Sequence, residues 1–172
     1  MKAILRRAVA EDAAALALVG AATFLDAFAG ILSGADIVTH CAANNAAAGF
    51  DAWIADPASV VAIAEAGEGR APIGYSVLTA PDLPVDTGSA DIELKRIYTL
   101  SRMHGSGLGA ELMDRALADA AALGKNRVLL GVYGANARAR AFYERQGFAL
   151  AGTRRFLVGE TWHDDVVYAR RI

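Results

Sequence analysis

The stretch "HGSGLGAELMDRAL", residues 104 to 117, sets Gly105, Gly107 and Gly109 within five positions and then runs straight into an apolar stripe at helical spacing. No other segment constrains the chain as strongly. The first N–H groups of a helix lack intrahelical partners, and the helix dipole adds about half a positive charge there. Glycines leave that backbone bare, so a phosphate can approach the amides without meeting β-carbons. The same glycines also turn a chain and let a helix pack close to a sheet, so the loop by itself leaves both readings open. "ADIELKRIYTL" (90 to 100) alternates as a strand feeding the loop, and the helix runs from about Gly107 to Leu123.

Two familiar phosphate loops do not fit. A P-loop would need lysine and a hydroxyl residue where Ala110 and Glu111 stand. Gly105, Gly107 and Ala110 satisfy a dinucleotide fingerprint literally, but the region about 20 residues on, "GKNRVLLGVYG", carries no carboxylate for a ribose, and several strands precede the loop.

Around this centre the chain reads as alternating strands and helices. "AILRRAV" (3 to 9) is a strand and "EDAAALALVGAATFLDAF" (11 to 28) an amphipathic helix, followed by one helical region over roughly Ala35 to Ile54 that ends before Asp56 and Pro57. "SVVAIAEA" (59 to 66) and "IGYSVLTA" (73 to 80) flank a hairpin turn, and the loop "PDLPVDTGS" follows. "NRVLLGVYG" (126 to 134) is a buried strand and "ANARARAFYERQG" (135 to 147) a short helix closed by Gly147. Strands near 148 to 158 and 162 to 169 finish the order. At 172 residues and 55% hydrophobic content, one domain spanning 1–172 is expected.

Charge and cysteine usage exclude several classes. A net charge of −2 gives no footprint for nucleic acid or an anionic membrane surface. Cys41 is the sole cysteine, so no internal disulfide framework exists, and packing is its expected role. His40, His104 and His163 stand far apart with no i, i+4 pair, so no metal site is expected. "MKAILRRAVAEDAAAL" carries charges too early for a signal peptide, which makes a cytoplasmic location the expectation.

"IYTLSRMHGSGLGAELM" and "NARARAFYERQGF", in this order, resemble the two signature motifs of the Gcn5-related N-acetyltransferase (GNAT) superfamily, [QR]-x-x-G-x-[GA] and N-x-x-A-x-x-F-Y-E-x-x-G-F. His104 departs from the usual Gln or Arg, and Ser101 from a common proline. The resemblance implies an α/β fold with a central mixed, mostly antiparallel, splayed sheet of about seven strands flanked by about four helices. It implies acetyl-CoA as cosubstrate and an amine acceptor, either a small molecule or a protein amine. Main-chain amides from His104 and Gly105 through Ser106, Gly107, Leu108 and Gly109 to Ala110 would hold the pyrophosphate. The backbone around Tyr98, Thr99 and Leu100 would pair with the pantetheine arm like an added strand. Asn136, Ala139 and Tyr143 would complete the cofactor side, with the thioester entering where the sheet splays.

By the same resemblance Tyr143 protonates the leaving thiolate, a fitting task for a phenol with an ordinary pKa of about 10; packing beside Phe142 is its structural alternative. Glu93 matches a catalytic glutamate of the histone-acetylating branch. Strand alternation puts Glu93 and Lys95 on one face and Ile92 and Leu94 on the other. Three roles stay open for Glu93: base, anchor for a cationic substrate, and solvated side chain. Asp26 and Phe28, at the end of the first helix, are candidate acceptor contacts or helix-end packing. His163, Asp164 and Asp165 read either as a polar hairpin turn before the last strand or as an acidic rim for an amine.

"ELKRIYTL" and "GTRRFLVGETWHDDVVYARRI" look somewhat like bacterial members that acetylate polyamines and other small amines. A polyamine would require Glu93, Asp26, Asp164 and Asp165 to converge. Protein N-termini, lysine side chains, amino acids and aminoglycosides stay open as acceptors. Transfer in a ternary complex, without metal or covalent acyl-enzyme, is the expected reaction; a non-catalytic acyl-CoA sensor on the same fold is the competing class. Exposed strands and helices are compatible with a homodimer.

Overall fold

Alternation along the strands gives one sheet two buried faces, and each face collects its own helices. The computed structural model describes residues 2–172. In chain order the elements are β1 (Ala3–Arg7), α1 (Ala13–Phe28), α2 (Gly34–Asn44), α3 (Ala47–Ala55), β2 (Val60–Ala66), β3 (Ala71–Thr79) and β4 (Asp91–Thr99). They continue with α4 (Leu108–Ala122), β5 (Arg127–Tyr133), α5 (Ala137–Arg145), β6 (Ala149–Val158) and β7 (Thr161–Arg171). Short 3-10 turns stand at Ala10–Asp12 and Ser101–Met103. The strand order is β1-β2-β3-β4-β5-β7-β6, antiparallel throughout except between β4 and β5. This is the mixed, mostly antiparallel seven-stranded sheet that the resemblance implied.

One face packs Val61, Ile63, Tyr75 and Val77 against Leu16 and Val19 of α1 and Phe50 of α3. The other packs Leu78, Ile92, Leu94, Val128, Leu130 and Tyr168 against Met113 and Ala116 of α4 and Tyr143 of α5. No helix among the described residues is long and apolar enough to cross a membrane.

The single helix expected over Ala35–Ile54 is two, which raises the helix count from about four to five. Arg96 of β4 breaks it: its guanidinium donates to Asn45 Oδ1 at 2.8 Å and to the Asn44 carbonyl at 2.6 Å, while stacking on Trp53 at 4.9 Å. Asn45 is 5% exposed and leaves helical geometry at φ −115°, ψ 22°. A carbonyl turned toward a cation is lost to the helical ladder, so the helix stops there.

A second departure lies within β4. Val77 pairs with Arg96 and Leu78 with Leu94, so Lys95 is an extra residue bulged from the ladder. Before the bulge Glu93 shares the α1 face with Thr79; after it Arg96 and Tyr98 occupy that face.

Candidate active site

β4 and β5 pair only through Asp91↔Arg127, Ile92↔Val128 and Glu93↔Leu129. Beyond Glu93 the two strands part, and the gap widens toward the glycine loop. At its closed end Asp91 takes the Arg127 guanidinium in a fork of 2.8 and 2.6 Å and also accepts the Gly88 amide at 2.7 Å. Arg127 holds the Asp91 carboxyl down at about 2.

The edge of β4 along the gap has unsatisfied main-chain groups. The Leu100 amide donates to the Ile73 carbonyl at 3.0 Å, which makes them a hydrogen-bonded pair, so ladder alternation turns Ile97 and Thr99 away from β3 toward the gap. The Leu100 carbonyl accepts the Met103 amide at 2.8 Å. Leu100, expected to pair with the pantetheine arm, is therefore already satisfied within the chain, and the same alternation turns Tyr98 toward β3. Thr99 is the residue of that trio whose backbone faces the gap.

The glycine loop sorts its amides in the same way. Ser106 N–H bonds to the Met103 carbonyl at 3.1 Å, Ala110 N–H to the Gly107 carbonyl at 3.0 Å, and Leu108 N–H leans on the Ser106 hydroxyl at 3.3 Å. Those of Gly105, Gly107 and Gly109 have no partner among the described residues. The cradle is narrower than Gly105 through Ala110: Ser106 and Ala110 shape it, and the glycines present the free donors. Gly105 and Gly107 sit at φ 80° and 92°, the left-handed region closed to most side chains, and a Cβ on either would project into open space. Gly109 instead lies where a Cβ would meet the Phe142 ring at 3.7 Å. Three oriented donors at a helix start fit a pyrophosphate.

Neighbours from both sides hold the loop. Asp26 at the end of α1 accepts the Ser101 amide at 2.8 Å, and the Ser101 hydroxyl, then that amide, keep its carboxyl below the usual range. His104 contacts the Arg138 guanidinium of α5; burial, then Arg138, pushes the imidazole pKa down. Asn136 caps α5 by accepting the Ala139 amide at 3.0 Å. Asn136 therefore positions the helix that carries Tyr143.

Tyr143 is 9% exposed, with Phe142, Phe148 and Tyr168 at ring-centroid distances of 5.4, 6.1 and 6.4 Å. Its hydroxyl has no hydrogen-bond partner among the described residues. Burial pushes the phenol up, and the nearby Tyr98 phenol pushes the same way, so Tyr143 stays protonated at neutral pH and is a donor. Tyr168 is fixed in turn by donating to Glu144 Oε1 at 2.7 Å.

Glu93 is 2% exposed, which removes the solvated alternative. The β3–β4 loop covers it: Glu93 Oε2 accepts the Asp82 amide at 2.8 Å, and Lys95 Nζ lies 3.7 Å from Oε1. The same loop reaches across the sheet, placing Val85 against Gly152 of β6.

The turn reading of His163, Asp164 and Asp165 is corrected. All three lie within β7, and the hairpin turns at Gly159 and Glu160. Asp36 at the start of α2 accepts the Glu160 amide at 3.1 Å and the Thr161 hydroxyl at 2.9 Å, which holds that turn against the helices. Asp165 is buried and takes both Arg154 Nε, at 3.2 Å, and Nη2, at 3.1 Å, on Oδ2. Burial still pushes its carboxyl up against that pull. Arg154 lies flat on Gly131 of β5, where no side chain would fit. The His163 Nε2 is buried without a partner.

The carboxylates a polyamine needs do not converge. Asp26 holds Ser101, Asp165 holds Arg154, Glu93 lies under the loop beside Lys95, and Asp164 is exposed. Phe28 packs on Phe24 at 4.6 Å and stands 6.3 Å from Tyr133 at the end of β5, so it lines the gap as an apolar wall. Alternation places Lys95 beside Glu93, but the sequence does not single out Asp82 or Arg154. The one available signal was the arginine doublet in "GTRRF", which on a strand sends one cation to each face.

A model of the Acetyltransferase (GNAT) family matches residues 25–148. An uncharacterised N-acetyltransferase of Mycobacterium tuberculosis strain H37Rv is 37% identical over 161 residues, 94% of this chain and 98% of that protein. Mycothiol acetyltransferase of Beutenbergia cavernae is 59% identical over 44 residues, 26% of this chain and 15% of that one. The crystal structure of PaiA N-acetyltransferase from Thermoplasma acidophilum in complex with coenzyme A superposes with a TM-score of 0.83, covering all of both chains at 20% identity.

Proposed function

This chain belongs to the acetyltransferase (GNAT) family, and from that premise we propose that it moves an acetyl group from acetyl-CoA to a primary amine by direct attack in a ternary complex. One observation carries the reading: β4 and β5 part just after Glu93, and the gap runs to a loop whose three glycine amides are unpartnered. Acetyl-CoA supplies the activated acyl group. The amides of Gly105, Gly107 and Gly109 hold its pyrophosphate, and the gap-facing backbone of Thr99 aligns the pantetheine arm along β4.

Glu93 receives the proton that the attacking ammonium must shed, with Oε2 anchored by Asp82 and Oε1 turned toward Lys95. Tyr143, kept protonated by burial, donates to the departing sulfur. The acid and the base come from opposite sheet faces, so neither proton transfer obstructs the other. Acetyl-CoA-dependent thiol release across a panel of amines tests the reading. Tyr143→Phe keeps the packing and removes the donor, so kcat should fall about 10²-fold or more. Full turnover in that variant would remove Tyr143 as the acid.

A further inference from the structure

Lys95 is the extra residue of the β4 bulge, and it stands on the edge where β4 leaves β5. The parallel ladder ends at Glu93, so Lys95 lies two residues into the gap. Its side chain turns back to the Glu93 carboxylate: Nζ lies 3.7 Å from Glu93 Oε1 and 3.7 Å from Asp82 Oδ2. Neither contact is a hydrogen bond, so the amine is kept near two carboxylates and tied to neither. The side chain is 31% exposed and borders an open cleft of about 500 Å³ between the β3–β4 loop and Arg154 and Phe156 of β6. Arg154 packs in turn on Gly131 of β5, so Lys95 and Arg154 face that cleft from opposite sides of the gap. A primary amine of the chain itself thus stands over the gap, beside the carboxylate that takes an acceptor's proton.

The chain's other two lysines have no such setting. Lys125 precedes β5 beyond the closed end, with Nζ donating to the Ser89 carbonyl at 2.7 Å. Lys2 precedes β1, three strands away from β4 in the sheet.

We propose that Lys95 is an internal acceptor: with no external amine bound, the protein acetylates its own Lys95 from acetyl-CoA. The inference rests on the acetyltransferase reading above and goes beyond it to a modification site. The Lys95 ammonium gives one proton to Glu93, which passes it to solvent, and the four-carbon stem swings the freed Nζ to the acetyl carbonyl carbon. A C–N bond forms and the C–S bond breaks. Its electron pair leaves with sulfur, which takes a proton from Tyr143. On becoming an amide the nitrogen sheds a second proton, which restores the Tyr143 phenol. The products are Nε-acetyl-Lys95, coenzyme A and one proton, and the cation beside Glu93 is gone.

The test incubates the wild-type protein with isotope-labelled acetyl-CoA and no added amine, and reads each lysine by intact mass and peptide mapping. Lys95 should take one acetyl group about 10²-fold or more faster than Lys2 and Lys125, which report uncatalysed transfer within the same molecule. The rate should not change with protein concentration, as transfer within one chain requires. Coenzyme A release should stop near one equivalent per chain, and Lys95→Arg, which keeps the cation, should abolish it. Tyr143→Phe should slow labelling of Lys95 about 10²-fold and leave Lys2 and Lys125 unchanged. Labelling of Lys95 no faster than that of the other lysines, or a rate that rises with protein concentration, overturns the proposal. Thiol release across the amine panel, read on the same protein, separates the two readings. Amine-dependent release without Lys95 labelling removes the internal acceptor alone. Lys95 labelling without amine-dependent release upholds it and removes only the external amine.

Discussion

Replacing Asp91 by Asn tests what holds the two halves of the sheet together at the closed end of the gap. Asp91 is buried, forks Arg127 at 2.8 and 2.6 Å, and accepts the Gly88 amide, while Arg127 also donates to the Asp86 carbonyl at 2.8 Å. Its carboxyl is drawn from the ordinary 3.8 to about 2. At 1.36 kcal/mol for each tenfold, that is worth up to about 2.5 kcal/mol. Arg127 is 30% exposed, so solvent screening trims the contribution to about 1–2 kcal/mol. Because the folded value is lowered, this stability is fully present above about pH 4 and is lost as pH falls through about 2. Urea or thermal unfolding of wild type and Asp91→Asn should differ by about 1–2 kcal/mol at pH 7, or about 2–8 °C in Tm, and the curves should converge toward pH 2. Comparing the pair cancels the other depressed carboxylates, such as Asp12 and Glu65. A difference below about 0.5 kcal/mol at pH 7, or one constant from pH 5 to pH 2, would refute the reasoning.

Gly107→Ala puts a Cβ at φ 92°, so it should cost about 1–2 kcal/mol of stability. It should also weaken acetyl-CoA binding by about tenfold or more in calorimetry, since one charged hydrogen bond is disturbed. Unchanged affinity would mean that this amide does not touch the pyrophosphate. Glu93→Gln keeps an acceptor for the Asp82 amide but cannot take a proton, so kcat should drop about 10²-fold or more and the acid limb of its pH profile should flatten. A rise in the acceptor KM with kcat unchanged would make Glu93 an anchor for a cationic substrate.

Both signature segments could be read because their physics is local. Glycines at positive φ beside an apolar helical stripe, and an asparagine cap four residues ahead of Arg140, are settled by residues close in the chain. The succession of strands and helices along the chain was legible for the same reason, while the direction in which the strands pair came only with the family resemblance. What escaped depends on residues far apart. Arg96 ends α2 from more than fifty positions away, and nothing in "CAANNAAAGF" announces it. Simple alternation put Glu93 and Lys95 on one face, and it holds up to the bulge at Lys95. The bulge then returns Arg96 and Tyr98 to the α1 face, which no propensity in "ELKRIY" encodes. Burial of Glu93 follows from the β3–β4 loop folding over it, and the polar composition of "PDLPVDTGS" suggested only a solvated connection.

The same long-range organisation explains the paired charges around the β4–β5 junction. Only the Asp91, Ile92 and Glu93 pairings join β4 to β5, so the β5-β7-β6 half would pivot freely if the ladder alone held it. Two side-chain links tie it to the rest of the chain from different directions: Asp91 to Arg127 at the closed end, and Asp36 to the β6–β7 turn. Each lies outside the gap itself, so the strands can stay apart there without the sheet separating. Arg154 pairs with the buried Asp165 and packs against Gly131 of β5. A parallel junction of three residue pairs can thus stay open beyond Glu93 because the paired charges that hold its two sides lie outside the gap.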